Sequence, residues 1–327
     1  MSDAEADAAG AAALERVRAG GKRALAQALA RCEARPDDPA QAAMLDAAWR
    51  AAKGHAIGLT GPPGVGKSTL TDALIRQFRA KGARVAVIAV DPSSRRTGGA
   101  LLGDRTRLTT DPADAGVFVR SMAARAALGG LATTAWPALV LMRALFDIVI
   151  VETVGVGQSE TEIADVADTV VFCAQPGAGD ALQYMKAGII EIPHLAVVTK
   201  ADMGAPAQRA AADLRGALSL AAGDGGAGEG GAAIPVLTCS AGTGEGIEAL
   251  AEALLERMAK LGDLNDSRAR QATIWLRRAL IEGFGSEGFA RLSDCLDPVE
   301  SRHSPFLLAQ RVWRRGVVAL SVGFTPQ

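Results

Sequence analysis

Residues 61–68 have the composition and spacing of a phosphate-binding loop. They read GPPGVGKS, match the pattern G-x-x-x-x-G-K-[ST], and lie between a β-branched run and a helical stretch. The glycines let backbone N–H groups turn toward a phosphate, the following helix presents its positive N-terminus, and Lys67 adds a charge near the β- and γ-phosphates. The residues of this segment that we expect to bind nucleotide are Gly61, Pro62, Pro63, Gly64, Val65, Gly66, Lys67, Ser68 and Thr69.

Acidic residues that could serve Mg²⁺ and hydrolysis follow other apolar runs. Ser68 is expected to ligate the metal, and Glu152 ends the run FDIVIVE where P-loop proteins usually place an aspartate. Asp91 is placed to hold a Mg²⁺-bound water, and Asp104 could reach the metal shell or orient the attacking water. Gly155 could donate a backbone N–H to the γ-phosphate. A solvated strand-end glutamate and a loop aspartate paired with an arginine stay open as the alternatives for Glu152 and Asp104.

The tetrapeptide TKAD at residues 199–202 predicts recognition of guanine. The Asp202 carboxylate would accept hydrogen bonds from guanine N1–H and N2–H₂, whereas adenine offers neither donor at these positions. Because buried polar groups left unpaired are costly, this arrangement discriminates strongly between the two bases. Lys200 would lie along the base plane and contact the phosphate loop.

Two further features complete or weaken the predicted base site. Backbone N–H groups of Ser240 and Ala241, after the last predicted strand, would bind guanine O6. Thr199 stands where asparagine is usual, which removes the amide that normally ties this loop to the phosphate loop. We therefore expect somewhat weaker affinity or selectivity for guanine.

The elements that must position these residues are short β-branched runs separated by longer helical stretches. This alternation predicts an α/β fold with a mostly parallel central sheet flanked by helices. Together with the phosphate loop and TKAD, it predicts a P-loop GTPase. The motifs follow the runs directly, as functional loops do at the carboxyl edge of an open parallel sheet. The predicted strands are 56–60, 84–90, 146–152, 169–174, 195–199 and 235–239, with 117–121 as a further candidate.

Composition along the chain predicts three regions. Residues 1–53 form an alanine-rich helical N-terminal arm, residues 54–262 a P-loop GTPase domain, and residues 263–327 an arginine-rich helical C-terminal extension. The extension is a candidate dimerisation or docking element, and plain packing onto the sheet domain is the open alternative.

Charge and cysteine usage exclude several classes of function. The 35 lysine and arginine residues against 36 aspartate and glutamate residues give a net charge of −1, so no global field favours nucleic acid or anionic lipid. The four scattered cysteines and the lack of a signal-peptide pattern predict a reducing cytoplasm. No apolar run has the length of a membrane span, and the three histidines lack neighbours that would complete a metal site.

Taken with the phosphate loop and TKAD, three longer blocks resemble the ArgK/MeaB-type GTPases over about residues 14–255. The blocks are DPSSRRTGGALLGDRTR, ETVGVGQSE and PGAGDALQYMKAG. The resemblance implies a homodimeric chaperone of an adenosylcobalamin-dependent acyl-CoA mutase, such as methylmalonyl-CoA mutase. GTP or GDP would be the bound nucleotide, Mg²⁺ the cofactor, and the mutase's cobalamin-binding subunit or domain the partner. The chaperone would gate cofactor loading, protect the mutase and help expel damaged cobalamin.

The same resemblance implies roles for individual residues. Phosphate and Mg²⁺ binding would fall to Lys67 and Ser68, and metal binding and hydrolysis to the acidic side chains of Asp91, Asp104 and Glu152. The expected catalytic residues are Lys67, Asp104 and Glu152. Residues 177–188 would form a switch that couples nucleotide to the mutase, and the expected switch residues are Gln158, Gln183 and Lys186.

Departures from the family pattern concern the partner. Ala181 and Ala187 replace an acidic residue and a lysine in the coupling segment, and the C-terminal region matches poorly. We therefore expect a branch that serves a related enzyme, for example isobutyryl-CoA or 2-hydroxyisobutyryl-CoA mutase. Cobalamin is expected on the partner, because no histidine here lies in a D-x-H-x-x-G pattern.

Two other functions compete with this interpretation. A nickel-insertion GTPase would need a metal-ferrying cluster, and the isolated cysteines and histidines offer none. A small-molecule kinase would need an acceptor pocket, which no segment marks, and TKAD argues against ATP.

Overall fold

The β-branched runs of the sequence form one seven-stranded sheet. The computed structural model describes residues 3–92, 110–124, 130–153, 159–177, 192–222, 233–292 and 305–322. The strands are β1 His55–Thr60, β2 Val85–Pro92, β3 Val117–Ala124, β4 Ile148–Glu152, β5 Thr169–Ala174, β6 Leu195–Val198 and β7 Val236–Thr238. They lie in the order β3-β2-β4-β1-β5-β6-β7, and every adjacent pair is parallel. The predicted α/β fold is confirmed, including the further strand at 117–121.

Helices account for most of the described chain outside the sheet. Their bounds are α1 Asp3–Ala19, α2 Gly21–Ala34, α3 Pro39–Ala51, α4 Lys67–Ala80, α5 Gly130–Arg143, α6 Ser159–Glu162, α7 Ala205–Ala222, α8 Ile247–Lys260, α9 Asn265–Leu292 and α10 Pro305–Val322. Short 3₁₀ turns cover Ile163–Asp165 and Ala201–Met203. The helical arm and the helical C-terminal region predicted from the sequence are both present. No helix in the described ranges combines the length and apolar character needed to cross a membrane.

The chain divides into two compact units. One comprises Met1–Gly54, Arg125–Leu145 and Asp263–Gln327, and the other comprises His55–Ala124 and Phe146–Gly262. The first unit has an aromatic core around Trp136, which is fully buried. Its ring lies 5.6, 4.9 and 5.3 Å from those of Trp49, Trp275 and Phe306. Helices α3, α5, α9 and α10 therefore share one core, and aromatic pairs at such distances add stability beyond their buried area. The boundaries at 53/54 and 262/263 stay predictions.

The second unit carries the nucleotide motifs and is built on two faces of the sheet. Along β5, Val171 and Cys173 point into a core shared with α4 and α8, whereas Phe172 points into a core shared with α7. This alternation is the two-residue period of a strand whose two faces are both covered. Strand β1 lies at the centre and is buried at every residue. The loop that follows β1 therefore begins from a rigid, dry core.

Candidate functional site

The carboxyl edge of the sheet brings the sequence motifs together. Strand β1 is flanked by β4 and β5, with Leu59 in register with Glu152. On the other side of β5, Val198 is in register with both Ala174 and Thr238. The phosphate loop after β1 thus lies beside the end of β4, and the TKAD segment after β6 lies between the ends of β5 and β7. A parallel topology alone accounts for this grouping.

Glycines at two positions shape the phosphate loop. Gly61 has φ 136°, and a Cβ at this residue would lie 2.2 Å from the carbonyl oxygen of Cys173. Gly66 has φ 97° and caps α4, which begins at Lys67. Any side chain at 61 would collide with the backbone of β5, and positive φ at both residues disfavours other amino acids. The loop therefore turns tightly against the sheet and aims the N-terminus of α4 at its own concave side.

Lys67 is held inside this loop. Its side chain is buried, and Nζ donates hydrogen bonds to the carbonyl oxygens of Gly61 at 2.7 Å and Pro62 at 3.0 Å. The ammonium group therefore sits at the base of the loop rather than in solvent, where its charge acts through a medium of lower dielectric constant. This position fits the expected role of Lys67 as the phosphate-binding cation.

Ser68 and Glu152 form the described part of the predicted metal site. Ser68 Oγ donates to Glu152 Oε1 at 2.5 Å, and Thr71 Oγ1, from the same helix, donates to Glu152 Oε2 at 3.2 Å. Glu152 is 6% exposed. A hydroxyl and a carboxylate are hard oxygen donors, and Mg²⁺ in nucleotide sites takes one or two such protein groups together with phosphate oxygens and water. The residues present therefore fit Mg²⁺.

The base side of the edge is organised by Lys200. This residue has φ 56° and ψ 42°, the one positive φ at a non-glycine residue in the described ranges. A left-handed lysine is strained, and such strain gathers at functional sites. Its Nζ donates to Gln175 Oε1 at 2.6 Å and to the Gly64 carbonyl at 3.4 Å. The expected contact between Lys200 and the phosphate loop is therefore present.

Thr199 links the base loop to the phosphate loop, contrary to the expectation from the sequence. Its hydroxyl donates to the carbonyl oxygen of Val65 at 2.7 Å, with the Ala174 carbonyl at 3.1 Å. A hydroxyl has one proton, so the shorter contact dominates. The prediction that the loss of asparagine would leave this loop without a tie to the phosphate loop is wrong, because the buried hydroxyl of Thr199, directly after β6, reaches the Val65 carbonyl.

Asp202 and the segment after β7 complete the described base side. Asp202 is exposed at the rim, within the 3₁₀ turn that follows Lys200. The N–H of Ala201 donates to the Cys239 carbonyl at 3.0 Å, which joins the two loops. Ser240 is buried, its N–H donates to the Glu245 carbonyl at 2.8 Å, and Ala241 follows it at the edge. Of the two N–H groups predicted to bind guanine O6, that of Ser240 therefore already has a partner in the protein.

The other predicted site residues are Asp91, at the end of β2, and residues that lie outside the described part of the chain. Asp91 lies near the end of β2, two residues beyond Ala89, which is in register with Glu152. Its backbone is therefore at the same edge of the sheet. The predicted roles that lie outside the described residues are those of Asp104, Gly155, Gln158, Gln183 and Lys186, and the departures at Ala181 and Ala187 lie there too.

The buried cysteines of this edge, Cys173 and Cys239, are unsuited to act as nucleophiles or metal ligands. Burial raises the pKa of Cys173 and of Cys239 from 9.0 to about 12, so both thiols stay protonated at neutral pH. A protonated thiol is a poor nucleophile and metal ligand. In the part of the chain that the structure describes, no group of three His, Cys, Asp or Glu side chains could hold a metal ion.

Two residues of this edge were missed by sequence reasoning. Thr71 contacts Glu152, and Gln175 contacts Lys200. Ser68 and Thr71 are three residues apart, so the S-x-x-T spacing on one helix face was a usable signal. Gln175 carried no such signal, because its contact depends on the pairing of β5 with β6.

A parallel sheet with a phosphate loop after its central strand, β1, and TKAD after β6, two strands away, defines a P-loop protein of the GTPase class. The family model described as "Methylmalonyl Co-A mutase-associated GTPase MeaB" matches residues 25–287. The chain therefore belongs to this family of GTPases, which confirms the resemblance inferred from the motifs.

Individual relatives agree with this assignment. A GTPase from Pyrococcus horikoshii is 47% identical over 192 residues, 58% of this chain, and the matched stretch spans only 60% of that relative. GTPase ArgK of Escherichia coli is 36% identical over 295 residues, 86% of this chain and 88% of the relative. A crystal structure described as an LAO/AO transport system kinase matches 98% of this chain and 99% of its own, with a TM-score of 0.65 and 28% identity.

Proposed function

We propose that this chain binds GTP with Mg²⁺ and hydrolyses it to GDP and phosphate. The observation that carries the proposal is the hydrogen bond from Thr199 Oγ1 to the Val65 carbonyl at 2.7 Å. It holds the base loop against the phosphate loop, so that a single guanine nucleotide can span both. Membership in a GTPase family supports the same conclusion.

The phosphate loop, Ser68 and Glu152 form the phosphate half of the site, and they would stabilise the charge that develops during hydrolysis. Water attacks the γ-phosphorus, the bond to the β–γ bridging oxygen breaks, and GDP leaves with that electron pair. Lys67 and the loop N–H groups would hold the β- and γ-phosphate oxygens, which is how positioned charges lower the barrier to phosphoryl transfer. Ser68 and Glu152 would hold Mg²⁺, which when bound would supply positive charge against the triphosphate. Asp104 is proposed to orient the attacking water.

The TKAD segment and the segment after β7 form the base half of the site, which would select the nucleotide. Asp202 would accept hydrogen bonds from guanine N1–H and N2–H₂, and Ala241 would donate to O6. An adenine in the same place would present an acceptor to the carboxylate and lose both bonds. Because Asp202 lies at an exposed rim, a bound base would remove water from its carboxylate. A base that offers no hydrogen-bond donor in return would therefore bind more weakly.

The cellular task that we propose is service to an adenosylcobalamin-dependent acyl-CoA mutase. The family description links its members to methylmalonyl-CoA mutase. We propose a cytoplasmic homodimer that gates cobalamin delivery and protects or reactivates the mutase, with cobalamin bound by the partner. The poorly matching C-terminal region favours a related mutase, acting on isobutyryl-CoA or 2-hydroxyisobutyryl-CoA, and the departures at Ala181 and Ala187 favour altered coupling to it.

Steady-state hydrolysis with and without candidate mutase subunits tests this proposal. GTP turnover should exceed ATP turnover, release one phosphate for each GDP, and rise when the correct cobalamin-binding subunit is added. Equal use of ATP would refute the guanine site. GDP formed in excess of free phosphate would indicate transfer to a metabolite. An unchanged rate with all three mutase types would refute the chaperone role while leaving the GTPase assignment intact.

A further inference from the structure

Glu152 is held by two hydroxyl groups from one face of α4. Ser68 binds Oε1 and Thr71 binds Oε2, so both carboxylate oxygens are engaged by residues one helical turn apart. Thr71 is fully buried, and Glu152 is 6% exposed. The carboxylate therefore cannot rotate freely between the end of β4 and the start of α4.

We infer that Thr71 is a positioning residue for Mg²⁺, acting through Glu152. A helical threonine often directs its hydroxyl to a carbonyl one turn back. Thr71 instead donates across to β4, and a hydroxyl spent on a buried carboxylate rather than on the backbone fixes that carboxylate's orientation. Residues that orient the groups of a metal site are worth about 10- to 100-fold in metal affinity. The inference rests on the proposed Mg²⁺-dependent function.

The need for a second hydroxyl follows from what Ser68 must do. A serine hydroxyl has one proton and two lone pairs, so Ser68 can donate to Glu152 while its lone pair faces a metal. In that arrangement Ser68 moves with the metal, and its bond to Oε1 no longer defines the carboxylate by itself. Thr71 lies one turn deeper, away from the phosphate loop, and keeps Oε2 in place.

Three variants separate this role from general stability. Thr71→Val removes the hydroxyl at nearly constant shape, and Thr71→Ser restores it. Thr153→Val is the matched control, because Thr153 is also buried and adjoins Glu152 but donates to the Leu59 carbonyl at 3.3 Å. For each, calorimetry gives the Mg²⁺ dissociation constant of the GDP-loaded protein, and fluorescent GDP titration in EDTA gives metal-free nucleotide affinity.

Thr71→Val should weaken Mg²⁺ binding about tenfold, with metal-free GDP affinity unchanged. Thr71→Ser should recover most of the loss, and Thr153→Val should bind Mg²⁺ like the wild type. An unchanged Mg²⁺ constant in Thr71→Val, an equal loss in the control, or a parallel loss of metal-free GDP binding would each overturn the role of Thr71. Wild-type protein that binds GDP without any response to Mg²⁺ would overturn the metal site itself, and the role of Thr71 with it.

Discussion

The phosphate half and the base half of the nucleotide edge are built differently. In the phosphate half, Lys67 and Glu152 are both 6% exposed and held by short hydrogen bonds. In the base half, Lys200 and Asp202 are exposed, and the backbone of Lys200 is left-handed. Charged groups in the first half are fixed by burial, whereas those in the second lie on a loop that the Thr199 hydroxyl and the Ala201 N–H tie to its neighbours.

This difference assigns the strength of nucleotide binding to the phosphate half and the selectivity for the base to the base half. Buried charges interact strongly with phosphate because little water screens them. Any nucleoside triphosphate offers the same phosphates, so that half cannot choose a base. An exposed carboxylate on a tethered turn contributes less in isolation, but its hydrogen-bond pattern depends on the base presented to it. The predictions below test this division, from the largest effect to the smallest.

Lys67→Met should abolish most hydrolysis. The change removes a buried cation that we propose faces the transferred phosphoryl group, and loss of one such stabilising group lowers kcat about 10²–10³-fold. Single-turnover hydrolysis and fluorescent-nucleotide binding measure the effect. The loss should be equal for every triphosphate tested, and a loss confined to GTP would contradict the proposed division.

Asp202→Asn should change which base is bound. The amide can donate to the 2-oxo group of xanthine and still accept from N1–H, but it faces the 2-amino group of guanine with a donor. GTP affinity should fall by about 10²-fold, as hydrogen bonds to a charged group are worth about 1.5–3 kcal/mol each, and XTP affinity should rise. Competition binding measures both values.

The control for that change is Asp213→Asn. Asp213 is exposed on α7, so its replacement by asparagine removes the same charge at a distance from the nucleotide motifs. It should leave both affinities unchanged. If it weakened GTP binding as much as Asp202→Asn, a general charge effect would replace base recognition as the explanation.

The stability of the second unit should fall at alkaline pH through Cys173, which lies beneath the phosphate loop. Burial raises its pKa from 9.0 to about 12, so the native state keeps a proton that the unfolded chain releases above pH 9. The free energy of unfolding therefore decreases as pH rises through this window, by about 1–2 kcal/mol between pH 8 and pH 10 for one thiol.

Urea unfolding at these two pH values measures the decrease. Cys173→Ala should make it smaller by that amount. Val171→Ala, on the same face of β5 and also buried, should lower stability at both pH values without changing their difference. A pH dependence identical in wild type and Cys173→Ala would show that this thiol titrates normally.

Thr199→Val should have the smallest effect. It removes the hydroxyl that joins the base loop to the phosphate loop while preserving shape. One neutral hydrogen bond is worth about 1 kcal/mol, or about fivefold in GTP affinity. Thr199→Asn, the residue usual in this motif, should bind GTP like the wild type if its amide reaches the Val65 carbonyl. Equal weakening by both variants would show that the threonine geometry, and not the link alone, matters.

Much of this edge could be predicted from local sequence. The phosphate loop, TKAD and all seven strands were predictable, because strand periodicity and glycine-rich turns depend on neighbouring residues. The pairing of Ser68 with Glu152 was predicted as a shared metal site, although 84 residues separate the two positions. The structure places the two side chains in contact, because motifs at strand ends converge in any open parallel sheet. Their role in binding a metal stays a prediction.

The tertiary structure decided the contacts that depend on the order of the strands and on the direction in which each side chain points. The Thr199 bond to Val65 reversed an expectation based on residue type, since only the position of β6 shows that a short hydroxyl reaches the loop. Gln175 lies in the site because β5 pairs with β6. Helix α5 packs with the terminal regions because the Trp136 ring contacts Trp49 on one side of the chain and Trp275 on the other. Motifs are local and survive in the sequence, whereas these contacts join distant segments and exist only once the chain has packed.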